Sequence, residues 1–177
     1  MAFFGHGDST ALLGSVREPV FDENNLALAA GKTLVSVACE AGREVGPAAI
    51  QAGARAHLGW NVLLLWLGSD AATYGEAIVE PLARLGAGAS ISEVADALRD
   101  RLNAVAQRHR KRSPYDSNAK LAYYGAAAAA GQIAIDGDRH VRPLADGLSS
   151  GVRWAFWRAA RIGKSVIDSI RGVRHGR

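Results

Sequence analysis

The stretch Thr33–Cys39, TLVSVAC, decides the fold. It is an uncharged, largely apolar and β-branched run of strand length, the pattern of a parallel strand covered on both faces. Val62–Leu67 (VLLLWL) reads as a second such strand. Upstream, Phe3 and Phe4 read as a strand stub that ends at Gly5-His6-Gly7, where flanking glycines suit a tight turn. Helical segments alternate with these runs. Asn24–Ala30 reads as a short helix closed at Gly31, and Val45–Ala56 as a helix with Pro47 in its first turn. Ala71–Leu85 reads as a helix that Pro81 kinks or ends. The clearest helix runs from Ser90 to about Arg110: Ser90 and Glu93 fit a capping box, and Val94, Leu98, Leu102 and Val105 recur at helical spacing. Arg108–Arg112 suits its C-terminus, and Ser113-Pro114 stops it. Tyr123–Ile135 reads as a short helix running into a strand at Gln132–Ile135, followed by a turn at Asp136-Gly137-Asp138. This alternation predicts an α/β layered fold with a mostly parallel sheet.

Composition is consistent with a globular chain. The 177 residues are 49% hydrophobic and 21% charged, which fits one packed domain rather than disorder. One cysteine excludes an internal disulfide framework and a multi-cysteine zinc site. Met1–Gly7 lacks the basic and apolar regions of a secretory signal. Leu121–Ile135, the longest uncharged run worth testing, is shorter than the roughly 18 residues of a spanning helix. The expectation is a cytoplasmic protein. The net charge of +4 is unevenly placed. Arg153, Arg158, Arg161, Lys164, Arg171, Arg174 and Arg177 stand against Asp168, so residues 151–177 carry +6 and residues 1–150 carry −2.

Two expected strands end in reactive residues, His6 and Cys39. In an open parallel sheet, groups at the carboxyl ends of adjacent strands meet in one crevice. A thiol needs a base to act as a nucleophile at neutral pH, and an imidazole supplies one. Gly7 and Gly42 leave bare backbone beside both, and the N–H groups of Gly7 and Cys39 are candidate oxyanion donors. Taken alone, the pattern also fits an inert core cysteine and a loop histidine.

Three blocks in order bear on that choice: Phe4-Gly5-His6-Gly7, Val37-Ala38-Cys39-Glu40-Ala41-Gly42 and Leu65-Trp66-Leu67-Gly68-Ser69-Asp70. They resemble the caspase-like cysteine peptidases, most closely the bacterial CHAT branch, and Tyr123–Leu144 is similar to that family's final block. The resemblance covers about Phe3–Leu144. It implies a three-layer αβα sandwich over residues 1–148. Cys39 would be the nucleophile, His6 the general base and acid, and Gly7 and Cys39 the oxyanion hole. Asp70 falls where relatives of basic specificity carry an acidic substrate-recognising residue; a carboxylate there would hold a guanidinium bidentately, and it would equally cap the following helix. Asp8 and Glu40 are the alternative acidic wall residues. The implied substrate is a protein or peptide, with no metal or organic cofactor. Relatives also carry a strand–helix–strand unit before the histidine. Only Met1–Gly5 stand there in this sequence, so the expectation is one of three: a truncated gene product, an open sheet edge that a homodimer or partner protein completes, or a misassigned start. A catalytically degenerate, half-length interaction module is the rival reading.

Residues 149–177 form an expected basic amphipathic helix. Val152, Phe156, Gly163, Val166, Ile167 and Ile170 share one side, and Arg153, Arg161, Lys164 and Arg171 share another, with Trp157 among them and Trp154 close by. Packing on the domain, a membrane surface and nucleic acid are the three readings of its function. Ile162-Gly163-Lys164-Ser165 fails as a phosphate-binding loop, because Arg158 stands where that motif needs glycine.

Overall fold

The computed structural model describes residues 1–14, 18–65, 71–112 and 115–143. Trp66, Asp70 and the expected helix 149–177 lie outside them. The elements in chain order are β1 (Ala2–Phe4), β2 (His6–Gly7), β3 (Leu12–Leu13), β4 (Pro19–Phe21), β5 (Thr33–Val37), α1 (Val45–Gln51), β6 (Ala56–Trp60), α2 (Ala71–Ala83), α3 (Ile91–Arg110), α4 (Ser117–Gly131) and β7 (Ile133–Gly137). Short 3₁₀ turns occupy Leu26–Ala29 and Arg84–Ala87.

The central sheet has the order β1-β5-β6-β7. β1, β5 and β6 are parallel, and β7 pairs antiparallel with β6, so the sheet is mixed and mostly parallel. A small antiparallel sheet, β2-β3-β4, folds back from the end of β1. Alternation along the strands divides the core in two. Val35, Val37, Ala56, Leu58, Trp60 and Ile133 face α2, α3 and α4. Leu34 and Ala38 face α1, the first 3₁₀ turn and the small sheet. The result is an α/β arrangement with helices on both faces.

The expected strand at Val62–Leu67 is replaced by Ala56–Trp60. Residues 62–65 are not in a strand, and Leu63 and Leu65 are half exposed. Ala56, Leu58 and Trp60 are wholly buried on one face, while His57 and Gly59 occupy the other. That alternation satisfies two neighbouring strands, whereas the all-apolar run has no two-sided cover. The helix expected over Val45–Ala56 correspondingly stops at Gln51, and Gly53, at φ +94°, makes the turn into β6. Strand β5 ends at Val37, two residues before the expected limit. Pro81 lies inside α2 without ending it. Helix α4 begins at Ser117, well before Tyr123, because Asp116 accepts the Asn118 and Ala119 N–H groups, each at 3.0 Å. Trp60 and Tyr74 tie the helical layer down: Trp60 Nε1–H donates to Ala129 O at 2.9 Å and Tyr74 O–H to Ala122 O at 2.5 Å. Among the described residues no helix is long and apolar enough to cross a membrane.

Candidate active site

Strands β1 and β5 are parallel with Phe4 opposite Val37, so their carboxyl ends lie side by side. Gly5 N–H donates to Val37 O at 3.2 Å and carries the pairing one step further. The chain then bends into β2. A Cβ on Gly7 would lie 2.8 Å from Ala38 Cβ and 3.0 Å from Cys39 O, so glycine is what lets this strand cross the end of β5. The backbones of His6-Gly7 and Ala38-Cys39 therefore come together. His6 is exposed and Cys39 is half-buried. Among the described residues no hydrogen bond joins the two side chains.

Cys39 Sγ accepts the Leu64 N–H at 3.3 Å. Its own N–H makes no hydrogen bond among the described residues. The next residue, Glu40, has φ +53°, a left-handed conformation that costs a non-glycine residue about 1–2 kcal/mol. Two bonds hold it there: Glu40 N–H to Val62 O at 3.1 Å and Gly42 N–H to Trp60 O at 2.8 Å. Strained backbone beside a reactive side chain is a recurring property of functional sites. Asn61, at the end of β6, brings a buried Oδ1 with no partner among the described residues, 2.4 Å from where a Cβ on Gly42 would stand.

The acidic candidates differ in their engagement. Asp8 Oδ1 accepts from Thr10 N–H at 2.8 Å, Thr10 Oγ1 at 3.0 Å and Ala11 N–H at 2.8 Å. These bonds, led by that of the Thr10 backbone, hold its carboxyl below the usual range. Glu40 Oε1 accepts from Arg43 at 2.7 Å. Asp70 lies outside the described residues. A cleft of about 450 Å³ opens between the small sheet and α1, lined by Thr10, Ala11, Pro19, Asp22, Glu23, Leu26, Glu44, Val45 and Ala48. Its floor is apolar and its charged lining residues are all acidic.

A second polar group is absent from the sequence reading. On the sheet face toward α1, Ser36 of β5, His57 of β6 and Asp136 of β7 form one row. Ser36 Oγ lies 2.6 Å from His57 Nε2, and His57 Nδ1 lies 3.1 Å from Asp136 Oδ2. An ionised carboxylate only accepts, so Nδ1–H donates to Asp136; with the ring neutral, Nε2 accepts the Ser36 hydroxyl proton. Ser36 and His57 are wholly buried. The sequence signals are a serine within an apolar strand and a histidine alternating with Ala56, Leu58 and Trp60. Among the described residues, no group of three or more His, Cys, Asp or Glu side chains is arranged to hold a metal.

Comparison of the chain with protein-family models, curated proteins and solved structures gives no match.

Proposed function

We propose that the chain is a caspase-like cysteine peptidase domain in which Cys39 attacks a peptide carbonyl and His6 serves as base and acid. The observation that carries this reading is the crossing of His6-Gly7 over Ala38-Cys39 at the carboxyl ends of adjacent parallel strands. The thiolate adds to the carbonyl carbon, and the resulting oxyanion is met by the Cys39 N–H, with the Gly7 N–H as second donor. Collapse expels the amine, which takes its proton from His6, and leaves a thioester on Cys39. Water, deprotonated by His6, hydrolyses the thioester and restores the thiol. The Leu64 N–H on Sγ and the strained Glu40 turn support the assignment of the nucleophile. The acidic lining of the cleft between the small sheet and α1 supports a basic side chain in the substrate, and Asp70 is the residue the sequence offers for holding it.

The test is labelling with peptidyl acyloxymethyl ketones bearing Arg or Asp at the first recognised position. Cys39 should be labelled, Cys39→Ala should abolish labelling, and His6→Ala should slow turnover by about 10²–10⁴-fold. A folded chain whose Cys39 ignores both probes removes the reading.

One observation favours a second reading, an interaction module that accepts a partner strand. Among the described residues β1 is paired on one side only, and Phe4 on it is 52% exposed. Light scattering on the eluted protein separates the two. A pairing through β1 gives a species larger than one chain, which Phe4→Lys returns to a monomer.

A further inference from the structure

Ser36, His57 and Asp136 follow the hydrogen-bond order of a hydrolytic serine triad. Their surroundings exclude that use. Ser36 and His57 expose no surface. A Cβ on Gly59 would stand 2.8 Å from Ser36 Oγ, and one on Gly46 would stand 2.3 Å from both Asp136 Oδ2 and His57 Nδ1. The α1 backbone at Gly46 closes over the His57–Asp136 bond and Ser36 Oγ is wholly buried, so a substrate carbonyl has no access to Oγ. It is an internal fixture, and its position tells what it fixes.

The turn that carries Cys39 leaves the sheet at the end of β5 and re-enters the packed layer at α1. Ser36 lies three residues before Cys39, and Gly46 is the second residue of α1. Both ends of the turn thus rest on one polar row: Ser36 is bonded into it, and Gly46 sits directly over the His57–Asp136 bond. Within β5, β6, β7 and α1, His57 and Asp136 are the only ionisable residues. Asp136 therefore determines which ring nitrogen is protonated, and through it whether Ser36 finds an acceptor.

We infer that the Ser36–His57–Asp136 relay is a positioning device for Cys39, setting the height at which β5 and α1 lie on the sheet and hence the geometry of the turn between them. The inference rests on reading Cys39 as the nucleophile. Asp136→Ala removes the acceptor that orients the ring. Asp136→Asn keeps an amide oxygen able to accept from Nδ1–H.

Because Cys39 is the sole cysteine of the chain, its rate of alkylation by iodoacetamide across the neutral pH range reports its setting. Asp136→Ala should lower that rate by about tenfold and change its pH profile, while Asp136→Asn should recover most of the loss. A folded Asp136→Ala chain with the parent rate and profile overturns the inference. Should that variant fail to fold, Ser36→Ala, which leaves the Asp136 contact in place, is read the same way. Imidazole nitrogen resonances of the parent chain add an independent measure: the proton should reside on Nδ1, and residence on Nε2 overturns the relay. If alkylation responds to Asp136 but the parent chain never takes a peptidyl probe, the peptidase reading fails and the positioning of the thiol stands.

Discussion

Asp8 follows directly on the strand that carries His6, and its side chain shows how a single carboxylate shapes the site. By accepting from Thr10 N–H, Thr10 Oγ1 and Ala11 N–H it closes the turn from β2 into β3. The same loop bonds onward, since Val45 N–H donates to Ser9 O at 3.0 Å and joins the His6 arm to the start of α1. A carboxyl held below its ordinary value stabilises the folded chain fully above about pH 3.9, and loses that contribution as pH falls through the lower folded-state value. Asp8→Ala should therefore cost about 1 kcal/mol near neutrality, the usual worth of such a cap. The difference from the parent chain should shrink in strong acid. Thermal melts of both chains at neutral and strongly acidic pH test this; a gap that widens on acidification contradicts the assignment. Glu40 obeys a different local rule. Its left-handed backbone is maintained by neighbours on the β6 side, so its contribution is conformational as well as ionic.

Helix α3 is the element whose start is most fully specified. Ser90 Oγ accepts Glu93 N–H at 3.3 Å, and the Glu93 carboxylate accepts Ser90 N–H at 2.6 Å and Ser90 Oγ–H at 2.9 Å. Ser90→Ala should lower stability by about 1 kcal/mol, seen as a lower urea midpoint with an unchanged slope. A shift within error of zero would mean that packing of the buried face carries the helix start unaided. This element was legible in the sequence because cap, periodicity and basic C-terminus agree. Strand β6 was not, because His57 sits where a buried strand is expected to be apolar and Val62–Leu67 offers a stronger apolar run. The two-residue strands of the small sheet are too short to carry any period. Helix α4 is rich in alanine and glycine, so no polar face marks its length, and Asp116 alone announces its start. At the site, the approach of the Gly7 backbone to Ala38 and Cys39 followed from the rule that parallel strands bring their carboxyl ends together. The relay could not be read, because Ser36 and Asp136 lie 21 and 79 residues from His57 and only strand register joins them.

On the scale of the molecule, one sheet serves two cores. Leu58 is buried in the face beneath α2, α3 and α4, and Leu34 in the face beneath α1. Neither face closes without the strands of the other, because β5 and β6 supply side chains alternately to both. The buried relay adds cross-strand bonds at the same level. Unfolding one face therefore exposes the inner side of the strands that support the second. Truncation of either leucine to alanine should cost about 2–5 kcal/mol, a large share of a domain's usual 5–15 kcal/mol. The two losses should appear in one transition rather than two. Hydrogen exchange resolves the question element by element. In Leu34→Ala, the slowest amides of α3, on the opposite face, should lose protection by the same free energy as the slowest amides of β5. In Leu58→Ala, the slowest amides of β5 should respond equally. If Leu34→Ala instead weakens α1 and the small sheet while α3 keeps its parent protection, the faces are separate cooperative units. The segment holding His6 and Cys39 could then open without unfolding the helical layer. Coincident loss means that the candidate site shares the stability of the whole fold, and that its strained turn at Glu40 is held by the full cooperative unit.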